Sequence, residues 1–152
     1  TLERMMLDAD GDAAIALVNN KRNFNPSVLE LNVVPESVDD PQIGDAVVKS
    51  GRTTQVTSGN VDGKGRYFIY YPVGRVGVDG FIIVPHDKTN RKNIELSMGG
   101  DSGSVWLKEN SATVLGLHFA GETNPRASEE HAIACYATRV FERLQIQPFC
   151  GD

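Results

Sequence analysis

The sequence has few cysteines, no long apolar segment and no excess of basic residues. Cys135 and Cys150 are its only cysteines, too few for a disulfide framework, and both a single bridge and two reduced thiols remain open. No hydrophobic run approaches the roughly 18 residues of a membrane helix, so we expect no membrane partner. The formal net charge of -5 argues against a nucleic-acid partner.

The remaining composition is that of a globular domain. Hydrophobic residues make up 40% and charged residues 23% of the 152 residues, which excludes a disordered chain and a coiled coil. Acidic residues outnumber basic ones by eight to three in residues 1–40, and thirteen of the fifteen glycines lie between Gly44 and Gly121. The sequence therefore consists of an acidic leading segment, a glycine-punctuated middle and a glycine-poor tail.

Short apolar and β-branched runs between turn signals predict an all-β fold. The runs are Ala13–Val18, Val28–Val34, Asp45–Lys49, Thr53–Val61, Arg66–Tyr71, Gly80–Val84, Ser104–Leu107, Thr113–Phe119 and Ala132–Ala137. Turns are predicted at residues 62–65 and 77–80, and only residues 138–146 have helical apolar spacing. Nine short strands and a terminal helix favour a β-barrel or sandwich.

The motif with the most chemical content is Gly-Gly-Asp-Ser-Gly-Ser at residues 99–104. A nucleophilic serine needs a tight turn that exposes its hydroxyl and backbone N–H groups directed at a developing oxyanion. We predict Ser102 as the nucleophile, with the N–H groups of Gly100 and Ser102 as the oxyanion donors. The tetrapeptide Gly-Asp-Ser-Gly alone is equally compatible with an ordinary turn.

Residues 10–147 resemble the trypsin-like (chymotrypsin-fold) serine peptidases, most narrowly their bacterial and plant narrow-leaf type. Matching segments occur in the family's order, namely DAAIAL at 12–17, KSGRTT at 49–54, GNV at 59–61, GDSGS at 100–104, GLHFAG at 116–121 and ACYATRV at 134–140. The resemblance implies that 41–152 forms the C-terminal β-barrel with its terminal helix. It implies that 1–40 is the end of the N-terminal barrel and the linker between barrels.

The same resemblance implies roles for individual residues. Asp12 would orient a catalytic histidine, and Asp101 would pair with a cation that holds the oxyanion loop. His118 and Ser97 would line the S1 pocket and bind a P1 glutamate or glutamine side chain. Leu96 would lie in this pocket where peptidases that cleave after lysine or arginine carry an aspartate, so a basic P1 residue is disfavoured.

The triad histidine has no counterpart in this sequence. In the family it precedes the aspartate, whereas His86, His118 and His131 all follow Asp12. One explanation is that an N-terminal fragment of the same protein carries the histidine and was cleaved, remaining bound or being lost. The others are that the expressed protein was shortened by design, or that the chain is complete and inactive or uses another base.

The sequence therefore predicts a serine endopeptidase that acts on a peptide or protein substrate through an acyl-enzyme. The chain by itself is expected to have little or no activity. The alternative is an inactive peptidase fold that binds peptides as a scaffold. An esterase is disfavoured because no helix follows Ser102. His86 and His131 are expected at the surface, and neither a metal site nor a cofactor is predicted.

Overall fold

The computed structural model describes residues 1–19, 23–87, 94–122 and 129–148. Within these residues, nine strands and one helix follow one another. They are β1 (Leu2–Asp8), β2 (Gly11–Ala16), β3 (Ser37–Val38), β4 (Ala46–Gly51), β5 (Gln55–Tyr71), β6 (Gly74–Val84), β7 (Val105–Lys108), β8 (Thr113–Gly121), β9 (Ala132–Tyr136) and α1 (Ala137–Leu144). The prediction of an all-β fold with a terminal helix is confirmed.

Six strands close into a barrel. The large sheet has the order β3-β8-β7-β4-β5-β6-β9, and β8 also pairs with β9, which joins the two ends of the ring. All ring pairings are antiparallel, and the short β3 adds to β8 in parallel. Closure pairs the backbone groups that an open sheet would leave at its edges.

Alternation along the strands fills the barrel. In β4, Val47 and Lys49 are fully buried, whereas the residues beside them are partly exposed. The apolar core consists of Val47, Val61, Phe81, Ile83, Leu96, Trp106, Leu115, Ala132 and Ala134. Burying each large side chain contributes roughly 1.5–3 kcal/mol to folding. The rigid interior fixes the strand ends from which the loops around the site extend.

The predicted turns in the middle of the chain are wrong. Residues 53–61 and 66–71 were expected as two strands with a hairpin turn at 62–65, but β5 runs through this region with a bulge between Val61 and Gly63. The turn lies instead at Tyr71–Gly74, and residues 77–80 lie within β6. Gly63 and Gly65 thus serve a long, bent strand rather than a turn.

Two further strand predictions need correction. Residues 28–34 form one isolated bridge between Val28 and Val33 rather than a strand. The strand β1 was not predicted, because Leu2–Asp8 mixes charged and apolar residues without alternation. It pairs antiparallel with β2 in a separate two-stranded sheet.

The β1–β2 hairpin packs on the barrel and on α1. Met6 and Ala13 join a second core cluster with Val78, Cys135 and Val140. Ion pairs then anchor the hairpin turn to the helix, with Arg143 at 2.7 Å from Asp8 and 2.9 Å from Asp10. This docking holds the start of β2 in a fixed position on the barrel.

The helix α1 is short and amphipathic. Ala137, Val140 and Leu144 are buried, and Gln145 ends the helix with a left-handed backbone at φ 52°. Within the described parts of the chain, no helix has the length and apolar character of a membrane span. Cys135 is buried, and the predicted choice between a bridge and free thiols involves Cys150, which lies outside the described residues.

Candidate active site

The loop at 98–104 has a backbone that only glycine adopts readily. Gly100 and Gly103 have φ values of 104° and 91°. A Cβ atom on Gly100 would lie 2.6 Å from Thr53 Oγ1, so a side chain there would displace Thr53 as well as strain the backbone. Backbone hydrogen bonds from Gly103 to His118 and from His118 to Ser104 tie the loop to β8. The loop is thus a defined turn between the core and the surface.

Ser102 is exposed at the tip of this loop, as a nucleophile requires. Its neighbour Asp101 is fully buried, so that the loop points one side chain inward and the next outward. Among the hydrogen bonds between described residues, none uses the backbone N–H of Gly100 or Ser102 as donor.

Two cavities meet at Ser102. The first, of about 360 Å³, is lined by Ser102, Asp12, Tyr71 and His118 among others, and we call it the Asp12 cavity. The second, of about 250 Å³, is lined by Ser102, Ser97, His118 and the apolar Ile69 among others, and we call it the Ser97 cavity. Two larger depressions, of about 540 and 470 Å³, include no residue of the 98–104 loop.

Asp12 is held by the long β5–β6 hairpin. It lies near the start of β2, opposite Leu7, and its Oδ2 accepts a hydrogen bond of 2.7 Å from the Tyr71 hydroxyl. Burial raises the pKa of Tyr71, and the bond to the carboxylate raises it further, so the hydroxyl stays a donor. The hairpin reaches Asp12 because β5 does not turn at residue 62.

The carboxylate of Asp101 holds the 98–104 loop from below. It accepts hydrogen bonds from the backbone N–H groups of Thr53 at 2.7 Å, Thr54 at 3.2 Å and Met98 at 3.0 Å, and from the Thr54 hydroxyl at 2.7 Å. Burial alone would raise the pKa of Asp101, but these bonds hold it well below its usual range. The side chain is therefore a carboxylate throughout the neutral range.

Lys49 is the cation expected beside Asp101. Its Nζ lies 3.5 Å from Asp101 Oδ2, both side chains are fully buried, and Nζ also donates to the Thr54 hydroxyl at 2.8 Å. The ammonium lies 5.6 Å from the centroid of the Trp106 ring. Burial lowers the pKa of Lys49, and the attraction to Asp101 opposes that shift. A charged pair inside the barrel thus fixes the loop geometry.

His118 lies beneath Ser102 as a neutral imidazole. Only 4% of the residue is exposed, and burial together with the charge of Lys49 lowers its pKa to about 4. Its ring meets Trp106 edge-on at a centroid distance of 6.4 Å. Its buried Nδ1 has no hydrogen-bond partner among the described residues. The side chain is thus packed in place, and the residue lines both cavities.

The structure brings Ser97 but not Leu96 to the cavity beside His118. Ser97 lines the Ser97 cavity, whereas Leu96 is fully buried in the barrel core and is absent from the lining. Its apolar side chain packs inward, and the assignment of this position to an S1 pocket stays a prediction.

The remaining histidines lie away from Ser102. His86 bonds to Asn60 at 2.6 Å and to Glu109 at 3.2 Å, and His131 bonds to the Glu129 carbonyl at 2.8 Å. In the described part of the chain, no cluster of metal-binding side chains occurs. Sequence reasoning missed the structural roles of Lys49 and Tyr71. The one available signal for the burial of Lys49 was its spacing, because it lies two residues after the apolar Val47 and alternation places both on the same face of the strand.

Comparisons with known proteins agree on the fold. No family model matches the sequence, and no curated protein matches it significantly. Among solved structures, a Nocardiopsis protease superposes with a TM-score of 0.71 at 18% identity, covering 98% of this chain and 73% of that one. Cellulomonas bogoriensis chymotrypsin gives 0.70 at 19% identity, covering 93% and 71%.

A third similar structure is a glutamic-acid-specific serine protease that uses a histidine triad in substrate binding. It gives a TM-score of 0.58 at 22% identity, covering 92% of this chain, which spans 63% of that protein's length. The chain therefore has the chymotrypsin-like β-barrel fold found in these bacterial serine proteases, as the sequence resemblance implied. At these identities the likeness concerns the fold alone.

Proposed function

We propose that this chain is part of a serine endopeptidase that cleaves peptide bonds through an acyl-enzyme at Ser102. The observation that carries this proposal is the Asp12 cavity, where an exposed serine on a glycine-shaped loop and a carboxylate border the same space. At about 360 Å³, the space accommodates an imidazole between them. Such an imidazole would take the serine proton and return it to the leaving amine.

We further propose that the imidazole comes from polypeptide outside this chain. His118 borders the Asp12 cavity, but a pKa of about 4 makes it a poor base near neutral pH. The other two histidines are bonded elsewhere. An N-terminal fragment of the same protein that carries a histidine fits this role. Residues 1–40 then belong to the N-terminal barrel and linker, and 41–152 form the C-terminal barrel.

The β1–β2 hairpin offers a place for that polypeptide. A two-stranded sheet is marginal alone. Its outer side and the residues that follow it expose several apolar side chains, namely Leu2 at 59%, Met5 at 68%, Leu17 at 68% and Val18 at 56%. Strands added to this hairpin would cover these side chains and bring a histidine next to Asp12.

The proposed roles follow from the geometry. Asp12 would orient the histidine and stabilise the imidazolium, and the N–H groups of Gly100 and Ser102 would bind the oxyanion. The P1 side chain would enter the Ser97 cavity, where the Ser97 hydroxyl and neutral His118 favour glutamate or glutamine over arginine, lysine or a large aromatic residue.

A fluorophosphonate probe tests the reaction. We expect labelling of the protein made from its full coding sequence, loss of labelling in Ser102→Ala, and full labelling in the control Ser58→Ala. Residues 1–152 alone should label weakly or not at all. Strong labelling of residues 1–152 would contradict the external base. No labelling of the full protein would favour the alternative, an inactive fold that binds peptides.

A set of P1-varied peptides tests the specificity. His118→Ala should reduce kcat/KM for P1 glutamate and glutamine peptides by roughly ten-fold or more, the equivalent of one lost hydrogen bond. The matched control is His86→Ala, whose side chain lies outside the cavity and bonds to Asn60 and Glu109. Unchanged P1 specificity in His118→Ala, or cleavage mainly after arginine or lysine, would refute this part of the proposal.

A further inference from the structure

Glu130 is a buried carboxylic acid behind the wall of the Ser97 cavity. It precedes β9 and only 1% of the residue is exposed. Its Oε1 accepts a hydrogen bond of 2.9 Å from the backbone N–H of Leu96. Within the described part of the chain, Oε2 is buried and has no hydrogen-bond partner.

These bonds fix the cavity wall from one side. Leu96 is held at both ends, since its carbonyl accepts a 2.8 Å hydrogen bond from Thr57 while its N–H donates to Glu130. The next residue, Ser97, lines the cavity with its side chain, and Met98 donates to Asp101. Two buried carboxylates thus hold the N–H groups of Leu96 and Met98, one on each side of Ser97, where the chain enters the 98–104 loop.

The cavity itself offers no compensating cation. Among the described residues that line it, none is lysine or arginine, and His118 is neutral. Lys49 is committed to Asp101 inside the barrel. A negative charge on Glu130 would therefore act on a second carboxylate in the cavity through a poorly screened interior.

We propose, on the basis of the peptidase function above, that Glu130 is a positioning residue of the Ser97 cavity, whose carboxylate holds the Leu96–Ser97 wall and disfavours an acidic P1 side chain relative to its amide. Glutamine is then the preferred P1 residue when Glu130 is charged. When Glu130 is neutral, the wall keeps an acceptor but the repulsion is gone.

The balance between these two forms lies near neutral pH. Burial raises the pKa of Glu130 to about 7, against the hydrogen bond from Leu96. Two other titratable groups face it, with Glu95 raising and His131 lowering its pKa. The preference for P1 glutamine over P1 glutamate should therefore increase as the pH rises from 6 to 8.

The test is the ratio of kcat/KM for two peptides that differ only in P1 glutamate or glutamine. It uses the protein made from its full coding sequence, between pH 5.5 and 8.5. We expect the glutamine-to-glutamate ratio to rise by roughly ten-fold, mostly through KM, as one poorly screened charge forms. The peptide glutamate itself stays ionised over this range.

Three variants assign the effect. Glu130→Gln keeps an acceptor for Leu96 and should make the ratio independent of pH, whereas the exposed Glu129→Gln should behave like the wild type. His131→Asn should retain the rise in the ratio, which separates the imidazole from Glu130. A ratio that still changes with pH in Glu130→Gln would overturn the inference.

The wild type decides the matter even if Glu130→Gln does not fold. A wild-type ratio that is constant between pH 6 and 8 overturns the role of Glu130 while leaving the peptidase function intact. Failure of the wild type to cleave either peptide, together with absent probe labelling, instead refutes the proposed function.

Discussion

At the scale of single residues, the buried ion pair between Lys49 and Asp101 makes the clearest contribution to the geometry of the site. Replacing Lys49 by methionine leaves Asp101 as an uncompensated charge in the barrel. We expect Lys49→Met to lower the free energy of unfolding by about 3–5 kcal/mol in urea denaturation. The control Lys108→Met removes an ion pair between the half-exposed Lys108 and Asp45 and should cost about 1 kcal/mol or less.

A second substitution separates charge from packing. Adding Asp101→Asn to Lys49→Met removes the orphaned charge, so the double variant should be more stable than Lys49→Met alone. Equal stability of Lys49→Met and the wild type would show that the ion pair contributes nothing to the loop.

Tyr71 contributes through one hydrogen bond to Asp12. Tyr71→Phe removes the hydroxyl that restrains the carboxylate, so that Asp12 would orient the incoming imidazole less well. We expect kcat of the full protein to fall roughly ten-fold with little change in KM, about the worth of a hydrogen bond to a charged group. Tyr70→Phe, at a residue 82% exposed, should leave kcat unchanged. A wild-type kcat in Tyr71→Phe would contradict the role.

Some of these positions could be predicted from the sequence and others could not. The exposed turn around Ser102 follows from its glycines, because few other residues adopt such a backbone. The meeting of Ser97 and His118 was inferred from the resemblance alone. The burial of Lys49 was not expected. Strand alternation places this residue on the inward face, but a charged side chain is normally kept out of a core. The contact of Tyr71 with Asp12 joins residues 59 positions apart and depends on the hairpin.

At the scale of strands, the close contact between β6 and β9 depends on a glycine, Gly80, which has no side chain. A Cβ on Gly80 would lie 2.2 Å from the carbonyl oxygen of Ala134, a backbone atom that cannot move alone. We expect Gly80→Ala to lower the free energy of unfolding by roughly 1–3 kcal/mol. In Gly65→Ala the nearest atom to the new Cβ is 3.9 Å away, so stability should be nearly unchanged. Equal stabilities of the two variants would contradict this packing.

The same strands show where sequence patterns mislead. Asp62-Gly63-Lys64-Gly65 has the composition of a hairpin turn, yet pairing with β6 continues through it. Cross-strand partners on β6 decide the outcome, because they supply hydrogen bonds on both sides of the bulge at Val61–Gly63. The eleven residue pairs of the β5–β6 ladder contribute more to stability than the local preference for a turn.

For the whole molecule, two buried groups oppose each other in pH dependence. The pKa of Glu130 is raised from 4.5 to about 7, so its contribution lowers stability as the pH rises through that range. The pKa of His118 is lowered from 6.5 to about 4, so its contribution raises stability as the pH rises from 4 to 6.5. Stability should therefore change little between pH 4.5 and 6.5.

Replacing either Glu130 or His118 should reveal how the other group makes stability depend on pH. Glu130→Gln should gain roughly 3 kcal/mol of unfolding free energy between pH 4 and 6.5, and His118→Asn should lose a similar amount between pH 4.5 and 7. Urea denaturation at several pH values measures both slopes. Parallel curves for the wild type and both variants would show that neither group titrates in the folded protein as described.

The long β5–β6 hairpin has a consequence for control of the molecule. Its tip exposes Val73 and Tyr70, while the adjoining Tyr71 is bonded to Asp12. A ligand that binds the exposed end of the hairpin and displaces it would move the Tyr71 hydroxyl away from the Asp12 carboxylate without entering the cavities at Ser102. Inhibition of that kind would be non-competitive with a peptide substrate, because the hairpin would transmit the displacement to the Asp12 cavity.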